Sequence, residues 1–190
     1  MGRDKALLPW PAGSSSTLVQ MLVETALAVA QTCFVLAGWN HERLAKDLEA
    51  RPVRVVRNQE PALGMFSSLR CGVAAALDDG ADAAVVFHVD RPPVRVETLR
   101  LLMQSFEEEV SDAPAAIVAS YRGRHGHPYI VSAGMMREIM AASAEANARD
   151  LMHERGSVRY VECDDPAVVL NLNTQAEYEL AAGLAGVEQG

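Results

Sequence analysis

The run Ala83-Ala84-Val85-Val86-Phe87-His88-Val89 constrains this chain most. It is apolar at almost every position, so a strand there must be covered on both faces. Such a strand belongs to a sheet with helices on either side. It runs into Asp90-Arg91-Pro92-Pro93, where the prolines break regular pairing. The rest of the chain repeats the alternation. Short apolar runs at 33–37, 53–56, 115–120, 129–131 and 158–162 read as strands. Amphipathic stretches read as helices: one after Ser14-Ser15-Ser16, then 41–50, 67–77, 96–110, 135–142, 148–154 and 174–185. Neither a repeat nor a Pro/Gly/Ser linker interrupts the pattern. With 190 residues, 49% of them hydrophobic and only 5% aromatic, a core of Ala, Val and Leu is implied. The expectation is one α/β domain over 1–190, with a mostly parallel sheet.

Composition excludes several roles. A formal charge of −8 argues against nucleic acid as partner, which wants a basic face. No apolar run reaches the ~20 residues that span a bilayer. Cys33, Cys71 and Cys163 are odd in number and far apart, without metal spacing, and read as buried thiols in a reducing compartment. The N-terminus lacks a basic-then-apolar leader, so the expected location is cytoplasmic.

In a parallel α/β sheet, ligands bind over the carboxyl ends of the strands. Five stretches compete for chemistry there. Asp90 directly follows the most apolar strand. By itself it reads as a turn former or cap; stiffened by two prolines, it reads as a carboxylate for a hard divalent cation. Asn58, Gly64, Met65 and Ser68 lie in a segment that is either an ordinary loop entering a Ser-capped helix or a helix N-terminus presenting N–H groups to a ligand. His125, Gly126 and His127 fall in a loop expected over 122–127. Two histidines at this spacing are no metal site without further ligands. Asn173 precedes Thr174, which makes a good N-cap with Glu177 as its box partner. Lys5 alone reads as a surface lysine, yet Leu7, Leu8, Pro9 and Trp10 follow it as an apolar hinge able to hold its stem.

Together these stretches resemble the molybdenum-cofactor nucleotidyltransferases. The start, Met1-Gly2-Arg3-Asp4-Lys5-Ala6-Leu7-Leu8-Pro9, is similar to the end of the family's opening motif, where a strand and a Gly-rich loop run into Arg-Met-Gly-x-x-Lys-x-x-Leu-Pro. Asp90-Arg91-Pro92 is similar to its Asp-x-Pro. The segment 58–68 is similar to Asn-Pro-x-x-x-x-Gly-Met-x-x-Ser, with Gln59 replacing the usual Pro. Asn171-Leu172-Asn173-Thr174 is similar to Asn-Ile-Asn-Thr-Pro-Glu-Asp, with Gln175 in place of Pro. Gly126-His127-Pro128 and Leu8-Pro9-Trp10 look nearest to the cytidylyltransferase branch. The resemblance runs from Met1 to about Tyr178.

The resemblance implies a three-layer α/β/α sandwich of the nucleotide-diphospho-sugar transferase kind. It implies transfer of CMP from CTP, or GMP from GTP in the sister branch, to molybdopterin, with pyrophosphate leaving. Lys5 and Asp90 would be catalytic. Mg²⁺ would sit on Asp90 and Asn173. Asn58, Gly64, Met65 and Ser68 would border the nucleotide, and Gly126 and His127 the pterin. A molybdoenzyme or its chaperone would receive the product. Met1 falls partway into the opening motif, so the natural chain is expected to begin roughly 15–20 residues earlier, the size of a strand with its loop. Without that strand, two sheet edges are expected to stand unpaired. The alternatives are a guanylyl- or sugar-phosphate nucleotidyltransferase on the same fold, and a non-catalytic protein that binds and delivers molybdopterin.

Overall fold

The structure, a computed structural model, describes residues 4–108 and 113–187. Strands and helices alternate as β1 (Phe34–Ala37), α2 (His41–Asp47), β2 (Arg54–Arg57), α3 (Met65–Asp78), β3 (Ala83–Val86), α4 (Val96–Glu107), β4 (Ala115–Tyr121), β5 (Arg124–Ser132), α5 (Ala133–Ala141), α6 (Ala148–Arg155), β6 (Ser157–Glu162) and α7 (Gln175–Val187). Helix α1 (Leu18–Leu27) precedes them. Its N-cap is Thr17, in a reciprocal capping box with Gln20, and not the serine run expected from sequence. Ser14 Oγ instead accepts from Ser16 N, which bends the chain ahead of the helix.

β4 shows why the fold has three layers. Ala116 and Val118 face one cluster, with Val73 of α3, Met135, Met136 and Ile139 of α5, and Leu151 and Met152 of α6. Ile117 and Ala119 face a second cluster, with Leu99 and Leu102 of α4 and Val168. Alternate residues of one strand therefore feed opposite layers. The order β3-β5-β4-β6 places β5 antiparallel to both neighbours, while β4 and β6 pair in parallel. β3, β4 and β6 thus point one way and β5 alone runs against them.

β1 and β2 form a separate parallel pair, with Phe34 opposite Arg54 and Ala37 opposite Arg57. Helix α3 packs against both β1 and β3, so the break in the sheet lies between these two strands. Among the described residues nothing pairs with their facing edges. All four residues of β3, and three of the four in β1, stay half-buried, whereas Ala115 to Ser120 of β4 are buried throughout.

Two sequence expectations change near the site. The apolar run beginning at Ala83 pairs only as far as Val86, so Phe87 to Pro93 form a connection that turns at Val89-Asp90, where Arg91 N donates to the His88 carbonyl at 3.1 Å, and Asp90 stands four residues beyond the strand. The loop expected over 122–127 is a two-residue turn. Arg122 (φ 50°) and Gly123 (φ 72°) both occupy the left-handed region, which joins β4 tightly to β5. His125, Gly126 and His127 therefore lie within β5. Between Val118–Tyr129 and Ser120–His125 the partner registers differ by two residues, so β5 bulges around Gly126-His127-Pro128.

Candidate active site

The connection leaving β3 carries Asp90, the centre of the candidate site. Leu172 N donates to the Asp90 carbonyl at 2.8 Å, which ties the segment before α7 to this connection. Arg91 is not paired with Asp90: its Nη1 donates to the Leu170 carbonyl at 3.1 Å. One residue past Leu172, Asn173 Oδ1 accepts from Lys5 Nζ at 2.8 Å. Lys5, Asp90 and Asn173 are thereby brought to one region of the molecule.

Local structure explains why Lys5 points there. Asp4 caps the short 3-10 turn Lys5–Leu7 by accepting from Ala6 N, and its other oxygen accepts from Asn40 Nδ2 at 2.8 Å. Trp10, only 3% exposed, anchors the following segment edge-on against Tyr178, with ring centroids 5.7 Å apart. The Tyr178 hydroxyl donates to the Pro9 carbonyl. The apolar hinge read after Lys5 is thus clamped onto α7. At the start of that helix, Thr174 and Glu177 form the expected reciprocal cap, and Glu177 Oε2 also accepts from Asn173 N at 3.0 Å. Hydrogen bonds from Thr174, then from Asn173, and the nearby Lys5 charge hold the Glu177 carboxyl below its usual range.

Two carboxylates in this half of the molecule differ sharply. Asp165, 3% exposed, accepts from Arg95 N, Thr98 Oγ1 and Ala167 N, so it is a structural cap. Asp90 Oδ1 is buried and has no partner. Arg91 Nε and His127 Nδ1 are in the same condition. Three orphaned polar atoms in one neighbourhood are uncommon, because each costs the desolvation of its group. Such an arrangement makes this neighbourhood a candidate for a ligand that supplies the missing partners.

His88 belongs to this neighbourhood and was not singled out in the sequence. Its ring lies 4.1 Å from that of His127 and 6.3 Å from that of Tyr129. The signal was present, since His88 is the one polar residue in the run 83–89. Burial lowers the His127 pKa to about 3, with help from the charges of His88 and Arg91. Burial also lowers that of His88, against the pull of Asp90. Both imidazoles are therefore neutral near pH 7 and present hydrogen-bonding nitrogens without charge. Gly126 has a steric role. A Cβ on it would lie 1.8 Å from the Val168 carbonyl oxygen, so only glycine lets the bulge seat against the turn Pro166–Val169.

The segment before α3 holds the remaining residues singled out in the sequence. Asn58, 3% exposed, is fully engaged: Nδ2 donates to Ser67 Oγ (2.8 Å) and Ser68 Oγ (3.0 Å), and Oδ1 accepts from Glu60 N (2.9 Å). It shapes the loop. Helix α3 begins at Met65 behind Gly64 (φ 85°), two residues earlier than expected, so Ser67 and Ser68 sit inside the first turn and are not caps. Met65 stands 67% exposed at its tip. Among the described residues no three His, Cys, Asp or Glu side chains converge as a ready metal cage. The Asp90 carboxylate, with its free oxygen, is the group here suited to a hard cation. The Asn173 amide oxygen, the other expected ligand, is covered by the Lys5 ammonium.

A model of the MobA-like NTP transferase domain matches residues 1–177. The chain belongs to that family. It is a nucleotidyltransferase. Over 179 residues, 93% of this chain and 84% of the relative, it is 28% identical to a protein of Mycobacterium bovis (strain BCG / Pasteur 1173P2) named "Probable molybdenum cofactor guanylyltransferase". Two solved structures share the fold. A nucleotidyl transferase from Methanothermobacter thermautotroptrophicus superposes with a TM-score of 0.78 at 24% identity, covering 98% of this chain and 86% of that one. A manganese complex from Mycobacterium tuberculosis H37Rv gives 0.74 at 24% identity, covering 96% and 93%. As a MobA-like transferase, the chain has the three-layer architecture expected of it. Among the described residues no helix is long and apolar enough to cross a membrane.

Proposed function

We propose that this cytoplasmic MobA-like transferase moves a nucleoside monophosphate from a nucleoside triphosphate onto molybdopterin. A terminal phosphate oxygen of the pterin attacks the α-phosphorus, the bond to the β-phosphate oxygen breaks, and pyrophosphate leaves with that electron pair. The nucleophile is ionised at neutral pH, so alignment and charge neutralisation supply the catalysis. One arrangement carries the reading: the connection holding Asp90 is bonded to the segment holding Asn173, and Asn173 in turn accepts from Lys5.

The residues fit a divalent cation in part. Asp90 brings a free carboxylate oxygen, while Asn173 brings an amide oxygen that now accepts from Lys5. Mg²⁺ bound there would neutralise phosphate charge, and the manganese complex of a relative in fold is in keeping with a divalent ion. Once released from Asn173, the Lys5 ammonium reaches the triphosphate as a mobile point charge. Asn58 and Gly64 shape the nucleotide wall, with Met65 and Ser68 along the base. Gly126 seats the bulge that carries His127 toward the pterin.

CTP is the first reading of the nucleotide, on the strength of Gly126-His127-Pro128. GTP is the second, favoured by relatives named as guanylyltransferases. Pyrophosphate release with magnesium, molybdopterin and either nucleotide tests both. Asp90→Asn should lower turnover roughly 10²–10³-fold while leaving Tm unchanged or raised, since the lost oxygen has no partner. Turnover with GTP but not CTP reassigns the base. No pterin-dependent release with either refutes the function.

A further inference from the structure

Trp39 is 86% exposed, while Trp10, the other tryptophan of the chain, is 3% exposed. An indole left that open in a folded chain is unusual, because it forgoes one of the largest burial gains of any side chain. It is not alone. Leu63 is 52% exposed and Met65 67% exposed. All three follow the carboxyl ends of the paired strands β1 and β2, on the face where ligands of such sheets bind.

The backbone around Trp39 is fixed on both sides. Asn58 N donates to the Ala37 carbonyl at 2.8 Å. Gly38 abuts the turn Pro61–Leu63 so closely that a Cβ would meet Pro61 Cβ at 2.7 Å. On the other side, Asn40 Nδ2 donates to Asp4 Oδ2, one residue before Lys5. Trp39 is thus bracketed by the turn that leads to Met65 and by the segment that presents Lys5. An exposed indole on this turn, linked through Asn40 and Asp4 to the segment that presents Lys5, suits one class of occupant: a heteroaromatic base whose own phosphates extend toward Lys5.

We propose that Trp39 is the base-stacking residue of the nucleotide site, with the Met65 thioether packing at the edge of the same ring. This rests on the nucleotidyl-transfer reading above. Because every base has a π-face, the indole contributes affinity for CTP and GTP alike and leaves base choice to other groups.

The full chain with magnesium tests it. Titration with CTP or GTP should quench the exposed indole, and inorganic tripolyphosphate should not. Trp39→Phe should keep the affinity and lose the quench. Trp39→Ala should raise KM for the nucleotide roughly 5- to 100-fold, the span of a lost stacking contact, with kcat within about twofold. An unchanged KM in Trp39→Ala, with the wild-type chain turning over, overturns the inference and leaves the function standing. Failure of the wild-type chain to bind or turn over any nucleotide refutes the function itself. If the indole emission follows protein concentration and particle mass in place of nucleotide, the patch is an interface between copies and the inference falls.

Discussion

Acid should weaken this fold through His127. The ring is held neutral with a pKa of about 3 in the folded chain, by burial first and then by the neighbouring His88 and Arg91 charges. In the unfolded chain an ordinary imidazole titrates near ~6.5. A base whose folded pKa is depressed contributes fully above the unfolded value. Below it, the unfolded chain takes up a proton that the folded chain refuses. Stability therefore falls as pH drops from ~6.5 toward 3, by up to ~1.36 kcal/mol per pH unit. Between about pH 7 and pH 5 the loss attributable to His127 is about 2 kcal/mol, an upper figure because the ring keeps some contact with solvent. His88, shifted in the same direction by burial, adds to it. Urea unfolding of the wild-type chain and of His127→Gln at the two pH values measures the difference. The substitution removes the titrating group, so the variant should lose about 2 kcal/mol less on acidification than the wild type, whatever its stability at neutral pH. Equal losses in the two proteins would refute the buried, neutral imidazole.

Gly126→Ala should cost about 3 kcal/mol or more, because its Cβ would collide with the Val168 backbone carbonyl, which cannot move without the turn that carries it. Gly183→Ala, inside α7 with nothing within contact of the new Cβ, should instead gain about 0.5–1 kcal/mol. Thermal unfolding of the pair reads both signs. Asn58→Ala removes three hydrogen bonds from a buried position and should cost about 2–3 kcal/mol. That loss corresponds to roughly 5–10 °C in Tm by calorimetry. It should also raise KM for the nucleotide, because the loop carrying Met65 loses its brace.

Much of this was written in the residues. The run 83–89 announced a covered strand, and the alternation along β4, buried on both faces, confirms the layered plan it implied. The clamp of Trp10 on Tyr178 could not be read locally, since the two lie 168 positions apart, but the apolar hinge after Lys5 hinted at one. The hairpin turn was misread because Arg122 is an uncommon residue for a left-handed position, and only the adjacent Gly123 gave a cue. His88 was overlooked for a related reason: periodicity weighs a lone imidazole in an apolar run as noise, whereas its meaning comes from His127 on a neighbouring strand. Asp90 was singled out in the sequence. That its carboxylate oxygen is buried without a partner, while Asp165 is fully satisfied, is a tertiary fact that composition and spacing do not carry.

The bond between Lys5 and Asn173 joins residues 168 positions apart. Closing so long a loop is entropically among the last contacts a folding chain makes. A chain emerging from the ribosome can form β1 to β5 before residue 173 exists to meet Lys5, so the centre proposed above is assembled only when α7 docks on Trp10. Nascent molecules would then leave synthesis inert, and competence would arrive with a single late docking event.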